Sequence, residues 1–372
     1  MQPKVLLLEK ADVSDVVAQC VCALRQGALL VLPTETVYGL GALASNADAV
    51  SRLCVQKERQ LGHALPLAVS SFAMAREYVD DLSPLAERLA RHFWPGPLTL
   101  VVDTSHSSGK LQTLPKGALN AIMPRQTCGF RVPRNDFLCR VIDAVGAPLV
   151  LTSANLSGRS PALTAQEAKE SLGPRVDLVV DGGPATYGLS STVAKLSGKE
   201  ITILREGVIS LENLQNAAIK TNLFVCAANM CRSPVAEVIA RKIIAEKLNI
   251  PPDELEANGV RVVSAGIIAP ISRPAPPVVR RFVQKFYGVT LDSHLSKGID
   301  SSLVRYADNI FTMEKAQSET LRALYPEHAD RITTLDPSGH DVADPFGGTG
   351  KDYRTCFKTI ESLVKIRLNQ LL

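Results

Sequence analysis

The stretch that decides the fold is Cys226-Ala-Ala-Asn-Met-Cys-Arg-Ser-Pro234. A cysteine followed by five residues and an arginine can wrap around a phosphate group. The run at 222–225 predicts a short buried strand, and the run at 235–248 has helical periodicity and good helix formers. The loop therefore joins a strand to a helix N-terminus, where unpaired N–H groups and the helix dipole favour an anion. Such a setting favours the thiolate form of a cysteine, so Cys226 is predicted to be a nucleophile.

An ordinary structural interpretation competes with this one. A lone cysteine at a strand end is usually a small buried hydrophobe, and the C-x₅-R spacing also arises by chance. Here the strand before Cys226, the Arg-Ser-Pro sequence that ends at Pro234 and a distant Asp344-Pro345 pair all agree with a phosphate site. The agreement of independent features favours the catalytic interpretation.

Composition sets broad limits on the protein. A length of 372 residues suits two domains, and a hydrophobic content of 46% is ample for two cores. The net charge of +4 and the pI of about 8.6 permit tRNA or phosphate ligands without requiring them. No run reaches the roughly 18 apolar residues of a membrane span, and no signal peptide is indicated. We therefore expect no membrane association.

The cysteines favour a reducing compartment. Eight of them are spread thinly along the chain, at positions 20, 22, 54, 128, 139, 226, 231 and 356. They show no CxxC spacing, so a zinc site is not indicated. This usage suits the cytoplasm, which is the predicted location.

Hydrophobic patterning predicts an α/β protein with two domains. Residues 16–54 read as helix, strand, loop and helix. Strands are predicted at 28–32, 98–102, 148–152, 176–181 and 201–204. A polar helix at 211–218 then leads into the next domain, so the boundary is placed near 212–221. Beyond it, alternating strands and helices predict a doubly wound parallel sheet.

The first half carries a set of motifs in a specific order. Each has an ordinary interpretation alone, such as a strand exit or a helix end, but together they are distinctive. They are Pro33-Thr-Glu-Thr-Val-Tyr-Gly-Leu40, Lys57-Glu-Arg59, Phe93-Trp-Pro-Gly-Pro-Leu-Thr99, Thr152-Ser-Ala-Asn-Leu-Ser-Gly158, Gly188-Leu-Ser-Ser-Thr-Val193 and Leu204-Arg-Glu-Gly207.

These motifs resemble those of the YrdC-type threonylcarbamoyl-AMP synthases, over residues 12–210. The resemblance implies an open, twisted α/β sheet with a basic concave surface. It also implies a reaction that joins L-threonine, bicarbonate and ATP to give threonylcarbamoyl-AMP and pyrophosphate. A partner complex would then move the threonylcarbamoyl group onto tRNA.

The resemblance also assigns roles to individual residues. The ATP-binding candidates are Lys57, Arg59, Thr127, Ser153, Asn155 and Arg205, and the threonine-binding candidates are Thr34, Arg131 and Ser191. The cations suit phosphate oxygens, and Arg131 suits the carboxylate of threonine. Mg²⁺ is expected to accompany ATP because it bridges phosphate oxygens, but no protein side chain is assigned as a metal ligand.

Two departures from the family pattern are notable. The segment between Arg59 and Pro66 is longer than usual, which affects the expected geometry around the ATP phosphates. Glu206 stands where the family commonly has proline, and it places a negative charge beside Arg205.

The second half resembles the low-molecular-weight protein tyrosine phosphatases, over residues 221–372. The matching pieces are 225–237, Ser264-Ala-Gly266, Ser293-His-Leu-Ser296, Ala307-Asp308 with Thr312-Met313, and Asp344-Pro-Phe-Gly-Gly348. In that family the cysteine attacks phosphorus and forms a phosphocysteine, which is the role expected of Cys226. Asp344 would protonate the leaving group and then activate water.

The resemblance gives the rest of the loop supporting roles. Arg232 would bind two equatorial phosphate oxygens, and Ser233 would donate a hydrogen bond to the thiolate. Asn229 is expected to hold a sparsely populated backbone conformation, because asparagine tolerates the left-handed region. We hypothesise that Cys231 forms a reversible disulfide with Cys226 that prevents over-oxidation. No cofactor is expected for this half.

The substrate of the second half stays open at this level. Tyrosine phosphatases of the family tend to carry aromatic residues after Asp-Pro, whereas the sequence Asp344-Pro-Phe-Gly-Gly resembles the branch that includes protein-arginine phosphatases. Met230 is apolar and favours neither branch. An arsenate reductase would need further cysteines, and only Cys356 follows Cys231.

The leading hypothesis is a fused enzyme with two activities, acting on threonine, bicarbonate and ATP and on a phosphorylated protein. In one alternative, the first half only binds RNA or a nucleotide and the phosphatase is the sole enzyme. In another, the second half is a phospho-binding module without catalysis, which the joint presence of Cys226, Arg232 and Asp344 disfavours.

Overall fold

The computed structural model describes residues 2–57 and 64–372, and Arg59 lies outside them. The chain forms two compact units, the first ending at Ala217 and the second running from Ala218 to Leu372. Among the described residues, no helix is both long enough and apolar enough to cross a membrane.

The first unit is built on one mixed sheet. Its strands within the described residues are β1 (Lys4–Leu7), β2 (Leu30–Leu32), β3 (Gly39–Leu43), β4 (Leu67–Ala68), β5 (Leu98–Asp103), β6 (Thr127–Arg131), β7 (Leu149–Ser153), β8 (Leu178–Asp181), β9 (Thr192–Ser197) and β10 (Glu200–Arg205). They lie in the order β1-β8-β2-β3-β7-β4-β6-β5-β9-β10. Both parallel and antiparallel neighbours occur, such as β5 with β9 and β5 with β6.

Helices connect these strands. They are α1 (Val13–Arg25), α2 (Ala47–Gln56), α3 (Phe72–Tyr78), α4 (Pro84–Phe93), α5 (Lys116–Ile122), α6 (Asp136–Val145), α7 (Ala165–Leu172) and α8 (Leu211–Ala218). Short polar side chains start several of them, because a side-chain oxygen accepts a hydrogen bond from an N–H of the first turn. Asp12 does so for α1, Asn46 for α2 and Asn135 for α6.

The register of three neighbouring strands sets up a continuous face. Val101 of β5 pairs with Gly129 of β6 on one side and with Lys195 of β9 on the other. Two residues earlier, Thr99 pairs with Val193, which in turn pairs with Arg205 of β10. Because side chains alternate along a strand, these two rows share one face of the sheet.

The second unit has a parallel sheet. Its strands are β11 (Lys220–Cys226), β12 (Val260–Gly266), β13 (Asn309–Thr312) and β14 (Ile332–Thr334), in the order β12-β11-β13-β14. Its helices are α9 (Arg232–Leu248), α10 (Pro277–Tyr287), α11 (Ser301–Tyr306), α12 (Lys315–Leu324), α13 (Gly350–Ile366) and α14 (Leu368–Leu371). This arrangement confirms the predicted doubly wound α/β class.

Burial on both faces explains why β11 could be read from the sequence. Leu223 and Val225 belong to one apolar cluster, while Phe224 and Cys226 belong to another on the opposite face. A strand buried on both sides reads as a continuous hydrophobic run, which is typical of the central strand of a parallel sheet.

One segment of the first unit differs from the sequence prediction. The structure has β3 at Gly39–Leu43, where a loop was expected before the second helix. Glycine has low strand propensity, so the pattern did not suggest a strand. The reason for glycine is steric, because a Cβ on Gly39 would lie 2.7 Å from Cδ1 of Leu151. Leu151 of the neighbouring strand β7 therefore packs directly against the backbone of Gly39.

Candidate active sites

The loop from Cys226 to Arg232, which the sequence predicts to bind phosphate, lies at the carboxyl end of the central strand of the second unit. β11 ends at Cys226 and α9 begins at Arg232. Since β11 separates β12 from β13, its carboxyl end is the topological switch point, where open α/β sheets bind ligands. The first N–H groups of α9 therefore face the loop, as an anion site requires.

Gly266 allows the loop to pack closely on β12. A Cβ at this position would lie 2.7 Å from the carbonyl oxygen of Ala227, 2.8 Å from N of Asn229 and 2.9 Å from the carbonyl carbon of Ala228. All three are backbone atoms of the loop. The N–H groups of Ile267 and Ile268 also donate to the carbonyls of Cys226 and Ala227, both at 3.0 Å. The end of β12 therefore holds the loop by direct backbone contact.

The Cys226 thiol is buried beside a hydroxyl group. Its Sγ lies 3.0 Å from Oγ of Ser233, and only 3% of Cys226 is exposed. The serine hydroxyl has a second acceptor, the carbonyl of Ala265 at 3.2 Å. A thiolate is the stronger acceptor because it is charged, so Ser233 is placed to stabilise the ionised cysteine.

Asn229 ties the loop to two other segments. Its φ of 52° lies in the left-handed region, where asparagine is better tolerated than most residues. Its Nδ2 donates to Ser233 at 3.0 Å and to Oγ of Ser264 at 2.9 Å, while its Oδ1 accepts from N of Lys297 at 3.0 Å. The imidazole Nε2 of His294 lies 2.8 Å from its carbonyl oxygen. The side chain is fully buried, so these contacts fix the loop conformation.

Arg232 is buried and carries two carboxylate partners. Its Nη2 donates to Oδ2 of Asp344 at 2.6 Å, and its Nη1 donates to Glu314 and, at 2.8 Å, to the carbonyl of Val342. Burial lowers the pKa of Arg232, but the hydrogen bond to Glu314 and the charge of Asp344 outweigh it and raise that pKa. Because the guanidinium is charged and held in place, it is suited to bidentate contact with phosphate oxygens.

A second thiol, Cys231, belongs to this loop, and a third, Cys356, lies near it. Burial, followed by the charge of Asp344, raises the pKa of Cys231 to about 12. Burial likewise raises the pKa of Cys356 to about 12, and the charge of Arg232 opposes this shift. Both thiols are therefore neutral at physiological pH, and all eight cysteines of the chain are free.

The first unit contains a cavity of about 480 Å³ over the face formed by β6, β5 and β9. Its lining combines small hydroxyl residues with four cations, which are Arg125, Arg131, Lys195 and Arg205. Within the described part of the chain, its lining contains no carboxylate. The described side chains of this cavity therefore do not fit a Mg²⁺ site by themselves, because one or two carboxylates are usual there. In the same part of the chain, no group of three or more His, Cys, Asp or Glu residues could hold a metal ion.

Arg131 is fixed at the cavity wall by a buried ion pair. Its Nη2 lies 2.9 Å from Oε1 of Glu35, and the two side chains are 11% and 6% exposed. The same guanidinium donates to Oγ1 of Thr36 at 2.9 Å and to the carbonyl of Gly96 at 3.2 Å. These contacts use one edge of the guanidinium and set its orientation toward the cavity.

Arg205 is held by a neighbouring strand end. Its Nη2 donates to the carbonyl of Ser191 at 2.8 Å and to Oγ of the same residue at 2.9 Å. Ser191 also lies 3.0 Å from Oγ1 of Thr99. The predicted ligands Ser191 and Arg205 are thus coupled to each other inside the cavity.

The structure brings together most of the residues predicted for the first half. The cavity is lined by six of them, namely Thr34, Thr127, Arg131, Ser153, Ser191 and Arg205. Lys57 and Asn155 are buried and do not line it. The ammonium of Lys57 donates to the carbonyl of Ser153 at 2.8 Å and to the carbonyl of Asn155, and so supports the loop that follows β7.

The sequence analysis did not identify several residues of these sites. Arg125 and Lys195 line the cavity of the first unit, and Glu314 pairs with Arg232 in the second. The alternation of buried and exposed residues along β9 could have pointed to Lys195 as an outward-facing cation. Arg125 precedes β6 in a loop and carries no such signal.

Comparison with known proteins identifies both halves. The family model described as Telomere recombination, for Sua5, YciO and YrdC proteins, matches residues 22–207. The model described as Low molecular weight phosphotyrosine protein phosphatase matches residues 222–372. Both resemblances seen in the sequence are confirmed.

Two relatives of the first half share a name. A Pyrococcus abyssi protein named threonylcarbamoyl-AMP synthase is 33% identical over 192 residues, which are 52% of this chain and 54% of that protein. The chain thus spans about half the length of this relative. A Vibrio cholerae serotype O1 protein of the same name is 34% identical over 191 residues, covering 51% of this chain and 96% of that protein.

A solved structure agrees with these matches. The crystal structure of Escherichia coli YciO is 26% identical, has a TM-score of 0.50 and covers 57% of this chain and 98% of that chain. The chain therefore belongs to the Sua5, YciO and YrdC family, identified over residues 22–207, and carries a second unit of the low-molecular-weight phosphotyrosine protein phosphatase family.

Proposed function

We propose that the protein is a bifunctional enzyme. Its first unit forms threonylcarbamoyl-AMP and pyrophosphate from L-threonine, bicarbonate and ATP, for modification of tRNA. Its second unit hydrolyses a phosphomonoester or phosphoramidate on a protein through a phosphocysteine. The observation that best supports the second activity is the contact of Asp344 with Arg232 of the loop that begins at Cys226, although Asp344 is 112 residues away in the sequence.

In the first phosphatase step, Sγ of Cys226 attacks phosphorus while the bond from phosphorus to the leaving group breaks. Arg232 and the N–H groups at the start of α9 bind the phosphoryl oxygens as their charge shifts. A phosphate ligand would replace Asp344 as the acceptor for Nη2 of Arg232, which now donates to Asp344 at 2.6 Å. Asp344, freed from this ion pair, takes up a proton from solvent and gives it to the leaving group.

In the second step, water attacks the phosphocysteine and the S–P bond breaks. Asp344, now a carboxylate, accepts the proton of the attacking water. The thiolate of Cys226 is the leaving group, and the hydroxyl of Ser233 at 3.0 Å stabilises it. Inorganic phosphate is released and the enzyme returns to its starting state.

For the first unit, the combination of cations and hydroxyl groups in one cavity supports the synthase reaction. The amine of threonine and bicarbonate combine to a carbamate with loss of water. The carbamate oxygen bonds to the α-phosphorus of ATP, and the bond to the departing pyrophosphate breaks. Arg131 binds the carboxylate of threonine, near Thr34 and Ser191, which line the same cavity. Arg205, Thr127 and Ser153 contact the nucleotide.

This unit then works mainly by positioning its substrates and balancing their charge. The product would pass to tRNA or to a complex that transfers the threonylcarbamoyl group. We keep Lys57, Arg59 and Asn155 as candidates for ATP contacts. In the structure, however, the ammonium of Lys57 donates to the carbonyl of Asn155, and Arg59 is outside the described residues.

A single experiment tests both halves. The purified protein is given ATP and bicarbonate, with or without L-threonine, and pyrophosphate release is measured alongside hydrolysis of an aryl phosphate. We expect threonine-dependent pyrophosphate release and phosphatase turnover. In Cys226→Ser the phosphatase activity should vanish while pyrophosphate release is unchanged. Phosphatase activity without pyrophosphate release would favour a nucleotide- or RNA-binding first unit instead.

A further inference from the structure

The cavity of the first unit contains two cations that no predicted role uses. Arg125 lies just before β6, and Lys195 lies on β9, and both line the cavity and are exposed within it. Within residues 2–57 and 64–372, neither side chain has a hydrogen-bond or ion-pair partner. They contrast with Arg131 and Arg205 in the same cavity, whose donors are largely occupied by Glu35 and Ser191.

The sheet register places these two cations toward the same end of the cavity. Lys195 and Gly129 both pair with Val101, from opposite sides. Two strand spacings therefore separate them, which is roughly 10 Å between their Cα atoms. Arg125 lies four residues before Gly129 along the same segment, and its long side chain lines the same cavity. Gly129 has no side chain, so it leaves the space between Arg125 and Lys195 open.

The charges at this end of the cavity favour an anion. The cavity lining contains no carboxylate in the described part of the chain, and two exposed cations on one opening raise the local concentration of anions. Among the substrates of the proposed synthase, only the polyphosphate of ATP carries several adjacent negative charges. Of the cations first assigned to it, Lys57 is engaged elsewhere in the structure, because its ammonium donates to two backbone carbonyls. Arg59 lies outside the described residues.

We propose that Arg125 and Lys195 form the subsite for the terminal phosphates of ATP and for the pyrophosphate that leaves. The anionic chain runs across β6, β5 and β9, from the row that contains Arg205 toward the row that contains Lys195. Arg125 offers bidentate contacts, and Lys195 acts as a compact point charge. This inference rests on the proposed synthase function, and it identifies two binding residues for that reaction.

The test is binding of inorganic pyrophosphate to the full chain by isothermal titration calorimetry. Arg125→Gln and Lys195→Gln should each lower the pyrophosphate affinity about tenfold, the loss expected for one charge-assisted contact. The double variant should lose both contributions. Lys199→Gln is the matched control, because Lys199 lies in the turn after β9, is exposed and does not line the cavity. Its affinity should equal that of the wild type.

A second readout separates binding of phosphate from general damage. L-threonine affinity and the melting temperature should be unchanged in both single variants, while the KM for ATP in pyrophosphate release rises. Wild-type pyrophosphate affinity in the double variant would overturn the subsite, even if threonine-dependent release were intact. Loss of affinity in a protein that shows no threonine-dependent release would instead keep the polyphosphate subsite and refute the synthase.

Discussion

Replacing Gly266 with alanine should damage the phosphatase through one added methyl group. The new Cβ would meet the carbonyl oxygen of Ala227 at 2.7 Å, whereas ordinary contact begins at 3.4 Å, so the loop must move by 3.4 − 2.7 = 0.7 Å. The atoms in the way are backbone, so no side chain can rotate aside. Gly266 does not have a positive φ, so the effect is steric and not conformational.

The size of the effect follows from this displacement. A misplacement of 1 Å in an active site can lower the rate by roughly 100-fold, so we expect kcat/KM for an aryl phosphate to fall roughly 30- to 100-fold. Overpacking should also lower the free energy of unfolding of this unit by about 1–3 kcal/mol. Pyrophosphate release by the first unit should not change, and it serves as the internal measure of intact protein.

Gly298→Ala is the matched control. Gly298 forms a β-bridge with Gly266, yet a Cβ on Gly298 would meet no atom within 4 Å. Its kcat/KM should therefore equal that of the wild type. The reasoning would be refuted if Gly266→Ala retained full activity, or if both glycine variants lost activity equally.

Three further predictions follow from the contacts described. Glu35→Gln removes the charged, buried partner of Arg131 and should lower the free energy of unfolding by about 3 kcal/mol in urea titrations. As a control, Glu77→Gln disrupts the exposed pair of Glu77 with Lys110 and should change that free energy by less than about 1 kcal/mol. Ser233→Ala should slow single-turnover breakdown of the phosphocysteine about 10- to 100-fold, and Ser233→Thr should restore part of the rate. Equal rates in Ser233→Ala and the wild type would exclude stabilisation of the thiolate by Ser233. Burial raises the pKa of Cys231 to about 12, so this thiol should resist iodoacetamide at pH 8 and react faster as the pH approaches 12. Mass spectrometry can follow the labelling, and rapid labelling at pH 8 would contradict the burial of Cys231.

The candidate phosphate loop of the second unit could be predicted because its residues are neighbours in the sequence. Cys226 and Arg232 lie within one short stretch, and the strand before them reads as a buried run. Asp344 could be added because its Asp-Pro pair, which alone would indicate only a turn, occurs together with the cysteine loop. Glu314 escaped prediction, since its contact with Arg232 depends on how the segment after β13 folds back.

The cavity of the first unit was harder to read because it depends on strand pairing. Lys195 meets Val101 only because β9 lies beside β5, a pairing that joins segments nearly a hundred residues apart. Lys57 illustrates the opposite problem. Its motif suggested a phosphate contact, but its burial and the two carbonyls at its ammonium are tertiary facts that no local pattern encodes.

The contacts of Asn229 have a consequence for the order of folding. Asn229 is held in its left-handed conformation by contacts with Ser264, His294 and Lys297, all of which lie later in the chain. Its bond to Ser233 is local, but these three partners are at least 35 residues away. A nascent chain that ends before residue 297 therefore contains Cys226 without the full set of bonds that shapes its loop. The conformation of this loop thus depends on segments that are synthesised after it, and a partly synthesised chain lacks them.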